Sequence, residues 1–108
     1  MHELSIATAV VEACAERAAG ARVLRVRLEI GRLAAVMPDA IRFCFDLCAQ
    51  DTAVEGAALE ILDIPGRAVC ASCGEATDLD TPIGRCLCGG ALRIVAGEEL
   101  RVKDMEIA

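Results

Sequence analysis

Seven cysteines and a single histidine are the side chains of this 108-residue chain best suited to chemistry, and their spacing separates them. Four of the cysteines cluster as Cys70-Ala-Ser-Cys73-Gly74 and, after a loop over 74–85, Cys86-Leu-Cys88-Gly89. A C-x2-C pair lets two thiolates from one tight turn reach the same tetrahedral ion. A glycine after the second cysteine supplies the positive φ that such a turn often needs. The second pair, C-x-C, is one residue shorter than usual, which tightens its turn without changing the ligand count. Cys70, Cys73, Cys86 and Cys88 therefore read as a closed zinc site. Such a site keeps no open position for water or substrate, so its role is structural. Metal binding of this kind contributes roughly 10–16 kcal/mol to ordering a segment. Residues 65–96 carry few large apolar side chains, so the ion would serve as their core. Four unligated buried thiols would not explain the clustering. A redox dithiol at Cys70 and Cys73 would leave the second pair without a role.

The other cysteines, Cys14, Cys44 and Cys48, fall on apolar helical faces and read as small core residues. Cys44 and Cys48 also stand at i and i+4, a spacing from which two thiols can chelate. The histidine is His2. A histidine beside a terminus usually has no function. Here its bulk predicts that Met1 is retained. The Met1 amine, the His2 amide nitrogen and the His2 imidazole can then lie in one plane. Square-planar nitrogen ligation favours Ni(II) or Cu(II) over zinc.

Composition removes several classes. The formal net charge is −6, from 17 acidic and 11 basic residues, and Trp and Tyr are absent. That argues against a nucleic-acid binder, which needs a basic footprint and stacking platforms. No 18-residue apolar run is present, so no membrane insertion is expected. An odd number of cysteines and no visible export signal argue against a disulfide framework and predict a cytoplasmic protein. One terminal histidine cannot complete a Ser-His-Asp or Cys-His arrangement, so no enzyme is expected. Two rivals remain: a zinc-ribbon nucleic-acid-binding or protein-interaction module, and a rubredoxin-like iron carrier.

The elements that must position these groups follow from periodicity. Leu4, Ala7, Val11, Cys14 and Ala18 predict an amphipathic helix over 3–19, stopped by Gly20. Leu24, Val26, Leu28 and Ile30 alternate with Arg25, Arg27 and Glu29, predicting a strand over 22–31 with one solvated face. Pro38 and Asp39 open a second helix with Ile41, Cys44, Phe45 and Cys48 on one face. Residues 57–64 read as a strand stopped by Pro65-Gly66. Residues 91–96 and 99–107 read as a pair joined at Gly97-Glu98. In the last of these, Met105 and Ile107 are out of phase with Leu100 and Val102. Either a bulge near Lys103-Asp104 restores the face or the strand serves two surfaces in succession. The expected fold class is α+β: a small sheet with two helices on one face, plus an inserted four-cysteine, zinc-ribbon-like module. Two domains are expected, 1–64 with 97–108, and 65–96.

The whole chain resembles the HypA/HybF family of nickel metallochaperones for [NiFe]-hydrogenase maturation. The resemblance is carried by Met1-His2-Glu3, by VRLEIGRL ending beyond Gly31 and by FCFDL in the second helix. It continues through the cysteine module and the closing GALRIVAGEELRVKDMEIA. It implies a nickel site at His2 with backbone nitrogens of Met1 and its neighbours, shaped by Glu3. Asp39 matches a position where some relatives place a further carboxylate. It assigns zinc to Cys70, Cys73, Cys86 and Cys88, where many members have C-x2-C in place of the second, shorter pair. The cofactors implied are structural Zn(II) and Ni(II) as transient cargo, held in the 1–64 with 97–108 domain. The partners implied are a hydrogenase-maturation GTPase and the hydrogenase large subunit, with a homodimer left open.

Overall fold

The computed structural model describes residues 2–108. The order is α1 (His2–Ala18), β1 (Val23–Gly31), α2 (Pro38–Ala49), β2 (Ala58–Ile64), β3 (Gly66–Cys70), β4 (Ala76–Leu79), β5 (Leu92–Ala96) and β6 (Leu100–Ile107). The strands form two three-stranded sheets, ordered β2-β1-β6 and β4-β3-β5. The fold is α+β, as the periodicity predicts, and two compact units divide it.

The first unit comprises residues 1–29, 36–62 and 101–108. Its core joins Val11, Cys14 and Ala18 of α1, Val23 and Val26 of β1, Phe45 and Ala49 of α2, and Val54 and Ala57. Leu59, Val102 and Met105 pack against it from β2 and β6. With one buried aromatic, Phe45, aliphatic and cysteine side chains supply the rest of the packing, as the composition requires. Glu3 reaches Met37 and Thr8 reaches Cys48, so α1 and α2 run in the same direction. The opposite face of β1 and β6 is charged. Arg25 pairs with Glu60 and Glu106, Arg27 with Asp104, and Glu29 with Arg101. The Arg27 hydrogen bond holds the Asp104 carboxyl below the usual aspartate range.

Two local departures from strict alternation appear. Leu24 is exposed and Val23 is buried in its place. The Val23 N–H donates to the Ala53 carbonyl at 2.9 Å, so the loop before β2 holds the strand's first residue. In β6, Val102 and Met105 both face the core, and Arg101 and Asp104 both reach the charged face. Residues three apart share a face only if one extra residue interrupts the pleat. The break falls at Lys103-Asp104, where the phase slip in the sequence requires it.

The second unit comprises residues 30–35 and 63–100. β3 pairs antiparallel with β4 (Ala68 opposite Thr77) and with β5 (Ala68 opposite Ile94). The pairing expected between 91–96 and 99–107 is not formed, because β5 belongs with β3 and β6 with β1. The reason lies in three glycines. A Cβ on Gly31 would stand 1.9 Å from the Gly97 carbonyl oxygen, and one on Gly97 would stand 2.6 Å from the Gly66 Cα. Gly97 has φ +109°, which turns the chain from one sheet to the other where a hairpin would fold it back. Hydrogen bonds close the crossing: Leu33 N–H to Gly97 at 2.7 Å, Gly31 N–H to Glu99 at 2.7 Å, and Arg32 N–H to Ile64 at 2.9 Å. Gly31→Ala forces these backbones apart. We expect a stability loss of about 1–3 kcal/mol, read as a lower urea midpoint.

Candidate metal centres

The knuckle is built by strand ends and tight turns. β3 delivers Cys70, and the Gly74 N–H returns to the Cys70 carbonyl at 3.0 Å. The second pair is closed the same way, by Gly89 N–H to the Cys86 carbonyl at 2.8 Å. Gly74 and Gly89 have φ +77° and +87°, so both turns use the left-handed conformation that glycine adopts without strain. The shorter C-x-C pair is thus accommodated by a bonded turn of its own.

These turns bring all four sulfurs within 4.8 Å of one another. Cys70 Sγ lies 3.6 Å from Cys88 Sγ, and Cys73 Sγ lies 3.5 Å from Cys86 Sγ. Tetrahedral zinc about 2.3 Å from each sulfur requires S···S separations of about 3.8 Å. The donor set therefore fits a metal ion of this size and softness. Among the described residues, this is the only group of three or more His, Cys, Asp or Glu side chains that could hold one.

The electrostatics of the cluster call for a cation. The N–H groups of Cys73 and Ser72, each 3.4 Å from Cys70 Sγ, pull that thiol down to about 6. Cys73 is the converse. The Glu75 N–H draws it downward, but the bonds to Cys86, Cys70 and Cys88 outweigh that and push it up to about 12. At Cys88 the lowering by the Gly90 N–H is likewise outweighed by Cys86 and Cys70, and its pKa rises. One thiolate forms readily, and crowding resists the others until a divalent ion neutralises them. Sequence spacing did not identify two supports of this site. A Cβ on Gly90 would come within 2.7 Å of Cys70 Sγ, and the Ser72 N–H bonds that sulfur. The Gly89-Gly90 doublet is the signal that could have revealed the first.

The three cysteines outside the cluster are placed as core residues. Cys14 and Cys44 are buried, and burial raises the Cys14 thiol. Cys48 is half-buried, with its sulfur 3.3 Å from the Thr8 hydroxyl.

At the other candidate site, His2 is the exposed first residue of α1. Glu3 is half-buried, and its Oε2 accepts the Met37 N–H at 3.4 Å. Asp39 is exposed in the first turn of α2, and Pro38 stands at that helix's start. Because the helices run in the same direction, their first turns lie at one end of the pair. His2, Glu3 and Asp39 do not themselves form a three-ligand group. Met1, expected among the ligands, lies outside the described residues.

Together these features define a small α+β protein with a four-cysteine metal-binding module. The family model described as "Hydrogenase/urease nickel incorporation, metallochaperone, hypA" matches residues 1–107. The hydrogenase maturation factor HypA of Nostoc punctiforme is 55% identical over 108 residues, covering 99% of this chain and 96% of that one. The HypA of Geobacter metallireducens is 51% identical over 109 residues, covering 99% of each. The solution structure of the nickel metallochaperone HypA from Helicobacter pylori shares the fold, with a TM-score of 0.70 at 22% identity, and covers 97% of this chain and 96% of that one. A second HypA solution structure gives a TM-score of 0.73 at 23% identity, covering 100% and 97%. The chain belongs to the HypA family of nickel-incorporation metallochaperones.

Cys73→Ser removes one of four donors while leaving the β3 strand intact. We expect metal content to fall from about one equivalent to near zero. The amide NMR dispersion of residues 66–96 should collapse with it, and elemental analysis with heteronuclear NMR checks both.

Proposed function

We propose that this chain binds Ni(II) at its N-terminus and delivers it for maturation of the [NiFe]-hydrogenase large subunit, while Cys70, Cys73, Cys86 and Cys88 hold a structural Zn(II). Membership of a nickel-incorporation family supports the cargo. The observation that carries the reading is the position of His2 as the exposed first residue of α1. The first four N–H groups of a helix have no intrahelical acceptor. The His2 amide can therefore lose its proton to a metal without breaking a helical bond. The Met1 amine and the His2 imidazole complete three nitrogen donors, the ligand type that favours Ni(II).

The helix supplies a counterweight. Its N-terminus carries partial positive charge, which opposes a cation. The Glu3 carboxylate offsets that charge from a fixed place, because it is tethered to the Met37 N–H. Attraction and opposition together suit cargo that must be released. Asp39 stands at the same end of the helix pair and would serve as an outer carboxylate.

The zinc and nickel sites divide the work by donor chemistry. Four thiolates retain their ion, whereas an exposed nitrogen set can be exchanged one ligand at a time. The domain of residues 1–64 with 97–108 then carries cargo, and 65–96 is the zinc domain. No covalent chemistry is assigned, so the protein acts as a carrier and not as an enzyme. A maturation GTPase and the hydrogenase large subunit are the partners on either side of the transfer. Seven free cysteines suit a reducing cytoplasm. No described helix is long and apolar enough to cross a membrane.

Nickel titration of the untagged protein, followed by calorimetry and X-ray absorption, tests this. His2→Ala and a Gly-Ser extension ahead of Met1 should each weaken nickel binding by about tenfold or more and leave zinc content unchanged. Wild-type affinity in both variants would place nickel elsewhere.

A further inference from the structure

The chain has two phenylalanines and neither Trp nor Tyr, and the fold uses the two in opposite ways. Phe45 is 1% exposed, in the core, whereas Phe43, on the same helix, is 68% exposed. α2 buries Ile41, Cys44, Phe45 and Ala49, which already make one complete apolar face. Phe43 stands two residues from both Ile41 and Phe45, so it projects about 200° around the helix from them. Phenylalanine is also only a middling helix former. Neither the packing nor the conformation of α2 therefore calls for it at this position.

Its neighbours make the position a defined surface. Residues three and four apart are adjacent on a helix. Around Phe43 these are Asp39, Ala40, Asp46 and Leu47. Leu47 is 49% exposed, so an aromatic and an aliphatic side chain one turn apart form a ridge along the outside of α2. A single exposed aliphatic residue is ordinary on a protein surface, whereas contiguous apolar groups with a polar rim mark interaction sites. The rim here is Asp39 and Asp46, both exposed. Among the described residues neither has an ion-pair partner.

The placement of Asp46 points to the charge of what covers the ridge. A carboxylate complements a helix N-terminus, and Asp39 stands in the first turn of α2. Asp46 stands in the last turn, where the unbonded carbonyls repel a carboxylate and favour a cation. That turn contains no basic residue. The one cation of the helix, Arg42, donates to the Leu59 carbonyl at 2.7 Å. Asp46 thus breaks a rule of helix construction without a compensating contact, beside the exposed aromatic. Local conflicts of this kind collect at functional positions. One partner resolves both: its apolar side covers Phe43 and Leu47, and its cations meet Asp46 and the carbonyl end of α2.

We propose that the outer face of α2, centred on Phe43 and Leu47, docks an amphipathic helix of another protein whose apolar stripe is edged with lysine or arginine. A helix fits because a ridge of residues four apart seats between the matching ridges of a second helix. The chain's net charge of −6 favours a basic partner over an acidic one. The proposal rests on α2 alone and is independent of the nickel reading.

The probe is a synthetic helical peptide of about 18 residues, with leucines at i, i+3, i+4 and i+7 and lysines beside them. One control has the same composition without the stripe, and another has glutamate in place of lysine. Each is titrated into the whole, zinc-loaded, isotope-labelled chain and followed by heteronuclear NMR. We expect the lysine peptide to shift the resonances of residues 39–50 selectively and to give NOEs from its leucine methyls to the Phe43 ring. Phe43→Ala and Asp46→Lys should each weaken its binding by about tenfold or more, with zinc content and circular dichroism unchanged. Equal binding by either control, shifts centred elsewhere, or a folded Phe43→Ala variant of wild-type affinity overturns the proposal. So do NOEs from Phe43 to a second copy of the chain in the absence of peptide. The NOE pattern on wild type decides the matter if a variant does not fold.

Discussion

The close approach of three backbone segments at Gly31, Gly66 and Gly97 is the constraint on which the rest of the fold depends. At each of these positions a side chain would collide with neighbouring backbone at less than 3 Å. Here β1 ends, β2 gives way to β3, and β5 gives way to β6. The crossing thus sets where the chain leaves one sheet and where it returns. It also explains why two strands adjacent in sequence, β5 and β6, pair with different partners. The hydrogen bonds around Leu33, Arg32 and Gly31 show that the approach is used as well as tolerated.

Within the second unit, β3 contributes little apolar mass, and a four-cysteine cluster able to hold a metal ion lies at its end. The buried positions of β3, Gly66, Ala68 and Cys70, are all small and offer little apolar area. Four sulfurs gathered by glycine turns offer a strong alternative, at the expense of mutual repulsion once ionised. The opposing effects on Cys70 and Cys73 express that tension. Backbone N–H groups draw one thiol down, and neighbouring thiols push the other up. A divalent ion held by the four sulfurs would relieve both effects. The start of α1 is built differently. His2 is exposed there, and the Glu3 carboxylate, which accepts the Met37 N–H, stands in the first turn, where the helix terminus carries partial positive charge.

Much of this was legible in the residues. The cysteine spacing identified the four sulfurs that meet. The periods of 3.6 and 2 located α1, β1, α2, β2, β5 and β6 to within a residue or two. They also assigned Cys14, Cys44 and Cys48 to helical faces that prove buried or half-buried. β3 and β4 were not legible because Gly66, Ala68 and Cys70 give almost no hydropathy contrast with their neighbours. Leu24 was misplaced because alternation alone does not see the Ala53 carbonyl that captures the strand's first residue.

The sequence by itself determined local geometry and donor chemistry, since helical faces, glycine turns and thiol spacing depend on residues two to four positions apart. Only the tertiary structure decided which strands share a sheet, that Gly90 packs on the Cys70 sulfur, and that Glu3 is tethered to the start of α2. Those outcomes depend on backbone segments that meet across tens of residues. Steric exclusion and hydrogen bonding between such segments leave no periodic trace in the chain.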